Sequence, residues 1–365
     1  MLPPGFSNSH TSPMNLPHKT LVQRLRNHSQ ALALPKGRRV GKPGHDVARD
    51  YLLEQMGRIG LRPFAGGSFE LSYELPHPNN SKHQMFTNLV GVIRGRDRSL
   101  PPILLGAHYD SVIDAPCVDD NATSVAHNLV LADHFSLHPL ERDLIIAFFD
   151  AEEPPHFLGE TMGSRRFCED YCGDIDFAAV IVTDLVGHDV EATDLGLPAL
   201  ASKAMPHLRK LIAVMGSESD GTFPRIVEAA AKNAGELRVL STLHRYVGPM
   251  SDHAAFADAG QPFLFLSCGQ GRHYHTPQDT MEWINFDKLA HVTTFIADLV
   301  GRIDKTPADA DREPVDPFEF EIRMLRKALG PLAIAGLRAY GIKVPESREE
   351  LDEFVGGLVD GNLMH

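Results

Sequence analysis

Short apolar runs alternate with helical segments through the middle of the chain. Four runs are apolar throughout and predict buried strands: residues 103–107, 144–149, 177–183 and 262–266. Residues 122–135, 163–171 and 286–303 have the composition and spacing of helices between or after them. Fully apolar strands that alternate with helices indicate a mainly parallel sheet covered on both faces.

The N-terminal part predicts one long helix and two further strands. Apolar residues recur at helical spacing from His45 to Ile59, and Gly60 ends the pattern. Residues 68–75 alternate like a half-buried strand, and residues 87–93 form another apolar run. We therefore predict an α/β fold, a three-layer α/β/α sandwich around a central mixed, mostly parallel sheet.

The two ends of the chain differ from this pattern. Residues 1–18 are rich in Ser, Asn, Pro and His and predict a flexible arm before a domain at 19–303. Residues 304–365 predict a linker and a helical C-terminal extension, with helices at 318–340 and 347–358. Ser347 and Glu350 have capping-box spacing at the second helix. The extension packs on the body or forms a homo-oligomer through its helices.

The composition of the chain limits the kinds of ligand and partner that we expect it to bind. The 365 residues carry a formal charge of -13, which argues against nucleic acid and anionic membranes as ligands. The chain contains no apolar run of about 18 residues, so we predict no membrane span. The first residues have no basic start followed by an apolar core, which favours a cytoplasmic protein. The mature form of a secreted enzyme would look the same.

Histidine and carboxylate residues follow the predicted strands. The chain has 19 His, and the carboxyl ends of parallel strands line one crevice where ligands bind. Residues from distant parts of the sequence are therefore expected to meet there. The candidates are His108 and Asp110 after the first strand, Asp120 at the following helix, Glu152 and Glu153 after the second strand, Asp184 after the third, and His275 in the loop after the fourth.

The donor types of this set suit zinc. Zinc accepts imidazole nitrogen and carboxylate oxygen, and a pair of zinc ions needs a carboxylate that bridges them. Taken alone, the segment 119–121 also fits a helix N-cap, and Glu152 with Glu153 also fits a solvated turn. Joint placement at strand ends favours a site with two Zn²⁺ ions over these structural alternatives. The sequence has no Gly-x-Ser-x-Gly motif, which argues against a serine hydrolase.

Six motifs in order resemble the zinc exopeptidases of the bacterial leucyl aminopeptidase and aminopeptidase Y type. They are His108-Tyr109-Asp110-Ser111, Asp119-Asp120-Asn121-Ala122, Ala151-Glu152-Glu153, Asp184, Ser251-Asp252-His253 and His275-Thr276-Pro277-Gln278-Asp279-Thr280. The segment 41–44 also resembles the opening of that family. The resemblance covers roughly residues 40–303.

The resemblance implies a role for each candidate. Asp120 would bridge the two zinc ions. His108 and Asp184 would hold one ion, and Glu153 and His275 the other. Glu152 would be the general base, and Asp110 would accept the second N–H of His108 and orient its ring.

The implied activity is the removal of N-terminal residues from peptides, with one alternative on the same scaffold. Glutaminyl cyclases resemble this family and use one zinc at the positions of Asp120, Glu153 and His275. Leu185-Val186-Gly187 is similar to the cyclases, whereas Tyr274 stands where they commonly have Trp. Carboxypeptidase and amino-sugar amidase activities also fit two zinc ions. A non-catalytic member would be expected to lose ligands, and here all remain.

Overall fold

Nine strands form one mixed sheet in the computed structural model. The structure describes residue 14 and the ranges 16–80, 82–195, 206–307, 309–339 and 343–359. The strands are β1 Arg62–Pro63, β2 Glu70–Pro76, β3 His83–Ile93, β4 Ile103–His108, β5 Leu144–Phe149, β6 Ala179–Thr183, β7 Leu211–Met215, β8 Arg238–Thr242 and β9 Phe263–Ser267. Their order is β1-β3-β5-β4-β6-β9-β7-β8, and β2 pairs with β3 outside this path.

The centre of the sheet is parallel. β5, β4, β6 and β9 are parallel neighbours, and His108 lies opposite Phe149 in the register. Antiparallel strands adjoin this centre on both sides, since β3 pairs with β5 and β7 pairs with β9 in that sense. The predicted mixed sheet is confirmed. Its carboxyl edge is formed by the strands that carry the candidate site.

Helices cover both faces of the sheet. The helices within the described ranges are α1 His18–Leu32, α2 Pro43–Ile59, α3 Thr123–Leu137, α4 Gly163–Tyr171, α5 Phe223–Lys232, α6 His244–Val247, α7 His253–Asp258, α8 Phe286–Asp304, α9 Phe318–Ala339 and α10 Arg348–Val359. None of these helices is long and apolar enough to cross a membrane.

Alternate residues of the central strands enter two separate cores. Ile103 and Leu105 pack in the larger core with α1, α2, α3, α5 and α8. Leu104 points to the opposite face and packs with Phe167 of α4 and Phe256 of α7. Because successive side chains of a strand point to opposite faces, a strand buried on both sides must be apolar throughout. This explains the uninterrupted runs in the sequence and confirms the three layers.

The region between β6 and β9 contains elements that the sequence prediction omitted. β7, α5 and β8 form the far side of the sheet. β8 is the last strand of the sheet, and its residue Arg238 is exposed while Leu240 is half-buried. Such an edge strand lacks the long apolar run that identifies a central one.

The C-terminal extension packs on this edge of the sheet. Ile322, Leu325 and Leu351 form an apolar cluster that also contacts Leu240 of β8. Nη2 of Arg348 lies 2.6 Å from Oε2 of the buried Glu321 and joins the two helices of the extension. The Glu350 N–H donates to Ser347 Oγ, as the capping-box spacing predicts. Most of the predicted arm, residues 1–13 and 15, lies outside the described residues.

Candidate metal centre

The candidate side chains converge because the strands that precede them are parallel neighbours. β4 ends at His108 and β5 at Phe149, two residues opposite each other in register. Glu152 and Glu153 follow β5 after a two-residue turn, and Asp184 follows β6 directly. These strand ends meet at the carboxyl edge of the sheet, where all of these side chains are buried.

Backbone strain accompanies the candidate residues. Within the described ranges, five non-glycine residues have positive φ values: Cys117 (44°), Ala151 (53°), Leu158 (55°), Leu185 (54°) and His275 (56°). Residues other than glycine rarely adopt this left-handed region of backbone dihedral angles. Such backbone strain is concentrated at functional sites. All of these residues except Leu158 are within three positions of a candidate ligand or are one themselves. The strain therefore reflects a local path that aims side chains into the crevice.

A first set of donor atoms surrounds His108. Its Nε2 atom lies 3.2 Å from Asp120 Oδ1 and 3.6 Å from Asp184 Oδ1. The three donor atoms lie within 4.8 Å of one another. Asp120 is in a turn, Val118–Ala122, that precedes α3 and has non-helical dihedral angles. The sequence pattern placed Asp120 at the start of the following helix. In the structure α3 begins at Thr123, so Asp120 lies in the turn before the helix.

A second set uses the other oxygen of the same carboxylate. His275 Nε2 lies 3.3 Å from Asp120 Oδ2 and 3.2 Å from Glu153 Oε2. Asp120, Glu153 and His275 again present donor atoms within 4.8 Å of one another. The two sets thus share Asp120, and each of its oxygens faces a different imidazole. This is the arrangement required of a carboxylate that bridges two cations.

The donor distances and the hydrogen-bond inventory fit metal ligation. Donors about 2.0–2.2 Å from a tetrahedral zinc lie roughly 3.3 to 3.6 Å apart, close to the separations of both sets. Besides His108 Nδ1, which faces Asp110, five buried atoms of the ligand candidates have no hydrogen-bond partner within the described ranges: His108 Nε2, Asp120 Oδ2, Glu153 Oε1, Asp184 Oδ1 and His275 Nε2. Buried polar atoms are rarely left so, and a bound cation would satisfy them.

Electrostatics lead to the same conclusion. Burial and the adjacent charge of Asp120 raise the pKa of Glu153 to about 8. Burial also raises the pKa of Asp184 above its ordinary value. Burial lowers the pKa of His275, but the carboxylates of Asp120 and Glu153 outweigh it and raise this pKa to about 10. Closely spaced carboxylates resist ionisation unless positive charge is nearby, and a dication supplies that charge.

Glu152 and Asp110 lie beside the two donor sets. Oε2 of Glu152 is 3.8 Å from Nε2 of His108, and burial raises the pKa of Glu152 well above its ordinary value. The Asp110 carboxylate accepts the backbone N–H groups of Glu152 and Glu153. Its Oδ1 is 3.3 Å from His108 Nδ1, but the geometry is not that of a hydrogen bond. Asp110 therefore also fixes the loop that carries Glu152 and Glu153.

Several residues support the donor sets through contacts that the sequence analysis did not predict. Asp279 accepts the N–H groups of Asp119 and Asp120, which fixes the turn of the shared carboxylate. His45 Nε2 lies 2.7 Å from Asp150 Oδ1 at the end of β5. Asp279 belongs to the sequence motif that begins at His275, and this motif was the indication that Asp279 lies near the site. Nothing in the sequence pairs His45 with Asp150, because the two are 105 positions apart.

Asp252 and His273 lie outside the two donor sets. α7 begins at His253, and the side chain of the preceding Asp252 makes no cap hydrogen bond to it. Burial and nearby charges raise the pKa of Asp252 to about 7. The His273 ring packs edge-on against Trp283, with centroids 4.4 Å apart. His275, rather than His273, joins the donor sets.

An α/β sandwich with imidazole and carboxylate donors at the carboxyl edge of its parallel strands fits the class of metal-dependent hydrolases. The model of Peptidase family M28 matches residues 88–300, more than half of the chain. The chain belongs to this family, and the predicted family of zinc exopeptidases is confirmed.

Individual relatives are distant. The chain is 28% identical to the uncharacterized protein YfbL of Escherichia coli over 217 residues, which are 55% of this chain and 66% of that protein. It is 22% identical to a "Probable zinc metalloprotease" of Pyrenophora teres over 259 residues, 64% of this chain and 53% of that protein. The matches span less than two thirds of the length of the first curated relatives.

Solved structures share the fold. The LapA aminopeptidase of Legionella pneumophila superposes with a TM-score of 0.62 at 16% identity, covering 84% of this chain and 79% of that chain. A glutaminyl cyclase from an Acidobacteriales bacterium superposes with a TM-score of 0.63 at 20% identity, covering 83% of this chain and 99% of that chain. These likenesses establish the architecture. The chemistry is argued from the site itself.

Proposed function

We propose that this protein is a zinc-dependent exopeptidase that removes N-terminal amino acids from peptides. The observation that carries the proposal is the pair of donor sets that share Asp120. A family of peptidases, a relative named as a zinc metalloprotease and a fold shared with an aminopeptidase support it. Imidazole nitrogen with carboxylate oxygen is also a donor combination that suits zinc.

In this proposal five side chains hold two zinc ions. His108 and Asp184 hold one ion, Glu153 and His275 hold the other, and Asp120 contributes one oxygen to each. The distances of 3.2 to 3.6 Å between His108 and its partners support the first assignment. When bound, the ions would polarise the substrate carbonyl and make water ionise near neutral pH.

Glu152 serves as the general base in this proposal. Its carboxylate is buried beside His108 and forms a further group of close donor atoms with His108 and Glu153, but it belongs to neither of the two donor sets that share Asp120. Burial raises the pKa of Glu152, as is typical of a carboxyl group that must both accept and return a proton. Asp110 holds the Glu152 loop through two backbone hydrogen bonds and lies against the His108 ring. It is therefore a positioning residue.

A glutaminyl-peptide cyclotransferase is the second candidate function. Its support is the superposition on an Acidobacteriales glutaminyl cyclase, of which almost the whole length is covered. The second donor set alone, Asp120 with Glu153 and His275, would suffice for one zinc. The additional donors His108 and Asp184, both buried and close to Asp120, favour the two-zinc peptidase.

Two assays separate these functions. The protein would be loaded with zinc and tested on a panel of amino-acid p-nitroanilides, with and without a chelator. A parallel assay would follow pyroglutamate formation from peptides with N-terminal glutamine. We expect chelator-sensitive release of p-nitroaniline and no cyclisation. Cyclisation without p-nitroaniline release would establish the second candidate, and full activity in chelator with no bound metal would contradict both.

A further inference from the structure

A buried arginine joins the N-terminal part of the chain to the segment that carries Asp110 and Asp120. Arg38 lies between α1 and α2 and is only 1% exposed. Its guanidinium donates to six backbone carbonyl oxygens. Such a cluster of backbone acceptors around one cation needs the planar, multidentate fork of arginine.

Five of the six carbonyls belong to the segment between β4 and α3. Nε donates to Tyr109 O at 2.9 Å, Nη1 to Pro116 O at 2.6 Å and Nη2 to Cys117 O at 2.9 Å. Nη2 also lies 3.4 Å from Asp110 O and 3.2 Å from Asp120 O. Arg38 therefore contacts the backbone of two residues whose side chains form the metal centre.

The sixth carbonyl anchors the arginine to a helix. Nη1 donates to Leu32 O, the last residue of α1, at 2.9 Å. The final carbonyls of a helix have no partner within the helix and carry partial negative charge, so they favour a cation. Within the described ranges, no carboxylate pairs with Arg38, and carbonyl dipoles stabilise its charge.

The residues next to Arg38 fit the same contact. The Arg38 N–H donates to Ser111 Oγ at 2.7 Å. Gly37 has a φ of 65°, and a Cβ there would lie 2.3 Å from Ile113 O. The approach of the two segments therefore requires glycine at position 37. Both ends of the turn from Tyr109 to Asp120 are thus fixed against the segment that carries Arg38.

We propose that Arg38 is a positioning residue of the metal centre, which sets the path of residues 109–120 so that Asp120 presents one oxygen to each donor set. The inference rests on the proposed function, because it holds that a residue outside the metal site influences the affinity of that site for zinc. Asp120 is held from both sides in this account. The Arg38 guanidinium donates to the backbone carbonyl oxygen of Asp120, and the Asp279 carboxylate accepts the backbone N–H of Asp120.

A purely structural role would have a different signature, and the chain offers a matched control. Arg142 is also buried, and it donates to the backbone carbonyls of Pro101 and Thr306. It precedes β5, at the opposite edge of the sheet from the metal centre. Arg142→Lys should lower stability as the loss of any buried arginine fork would, without changing metal affinity.

The experiment compares Arg38→Lys with Arg142→Lys in the full chain. Apo-protein would be titrated with Zn²⁺ in competition with a chromophoric chelator, and the thermal unfolding of the apo-proteins would be followed separately. We expect Arg38→Lys to weaken zinc binding by about 10- to 100-fold, the range seen when groups that orient ligands are removed. Arg142→Lys should bind zinc as the unaltered protein does.

If Arg38→Lys does not fold, Ser111→Ala tests the same contact with a smaller change. It removes the acceptor of the Arg38 N–H and the hydroxyl that donates to Ile113 O, and we expect it to weaken zinc binding by a smaller factor than Arg38→Lys does. Unchanged affinity in a folded Arg38→Lys, or in Ser111→Ala where that variant decides, would overturn the inference. Failure of the unaltered protein to bind zinc would instead overturn the proposed function, so the two failures are distinguishable.

Discussion

Asp120 is the residue on which the proposed metal centre depends. Its two oxygens lie 3.2 and 3.3 Å from the imidazoles of His108 and His275, so one carboxylate belongs to both donor sets. The adjacent imidazoles of His108 and His275 hold the pKa of Asp120 well below its ordinary range, although burial alone would raise it. A carboxylate that stays ionised in a buried site is a suitable ligand for two cations.

Replacement of Asp120 by alanine should abolish paired metal binding. We expect Asp120→Ala to lower zinc affinity by at least about 100-fold, because each donor set loses a ligand and the cations lose shared negative charge. Zinc content after equilibrium dialysis would measure this. Asp133→Ala, which removes a half-buried carboxylate of α3 that pairs with Arg24 and lies outside the donor sets, is the control. Two tightly bound zinc ions in Asp120→Ala would show that the bridging assignment is wrong.

Glu152 should be needed for turnover and not for metal. Glu152→Gln preserves the size of the side chain but cannot accept a proton, so we expect activity to fall by about 10²- to 10⁴-fold. Zinc content should stay at the level of the unaltered protein. Steady-state kinetics on the best p-nitroanilide and elemental analysis of the same sample would test both parts. Normal turnover would refute the base role.

Sequence reasoning identified residues of the site to different degrees. His108, Asp184 and Glu153 could be predicted because each lies at or shortly after the end of a fully apolar strand, and the geometry of a parallel sheet brings such positions together. The contacts of Arg38, and of His45 with Asp150, could not be predicted in this way. They act through backbone atoms or buried pairs across long sequence separations, and no periodicity marks such contacts.

At the scale of elements, the same distinction separates the predicted strands from the omitted ones. β4 and β5 have both faces covered by helices, so their sequences are apolar throughout and easily recognised. β8 lies at the edge and reads Arg-Val-Leu-Ser-Thr, which does not stand out from a loop. Its partner is the C-terminal extension, whose docking depends on side-chain packing that the pattern of a single segment does not encode.

The packing of α3 on β6 predicts a pH dependence of stability. His127 of α3 is fully buried, with Nε2 2.8 Å from Thr183 Oγ1, and burial lowers its pKa from 6.5 to about 3. The unfolded chain therefore binds a proton that the folded chain does not between these pH values. The contribution of neutral His127 is fully present above about pH 6.5 and is lost progressively as the pH falls towards 3.

A substitution isolates this contribution. At pH 5 the protonation of His127 in the unfolded chain should cost on the order of 2 kcal/mol relative to pH 7.5. His127→Gln removes this titration, so its free energy of unfolding should fall less between the two pH values. Urea unfolding of metal-free samples would measure the difference. Equal losses in both proteins would contradict the assignment of a buried neutral histidine.

At the scale of the whole molecule, the C-terminal extension is joined to the body by more than its apolar cluster. Arg245 of α6 lies 2.6 Å from Asp352 of α10, and His207 contacts the carbonyl oxygen of Leu329 in α9. Ala328 of α9 shares a second small cluster with Leu211 of β7. The division into a domain at 19–303 and an extension at 304–365 stays a prediction, as does a homo-oligomer formed through these helices.

Removal of the extension should destabilise the protein. A chain that ends at residue 316 lacks α9 and α10 and exposes Leu240 together with the edge of β8, which promotes association between edges. We expect a lower unfolding temperature and a larger size in light scattering. A chain that ends at residue 359 keeps both helices and serves as control. An unchanged unfolding temperature in a monodisperse shorter chain would show that residues 19–303 fold independently.

Anomalous diffraction from zinc-loaded crystals tests the central claim most directly. Data collected on both sides of the zinc absorption edge would locate each ion without reference to activity. We predict two peaks about 3.5–4 Å apart, one beside His108 and Asp184 and the other beside Glu153 and His275, with Asp120 between them. A single peak, or zinc bound away from these five side chains, would contradict the two-zinc centre.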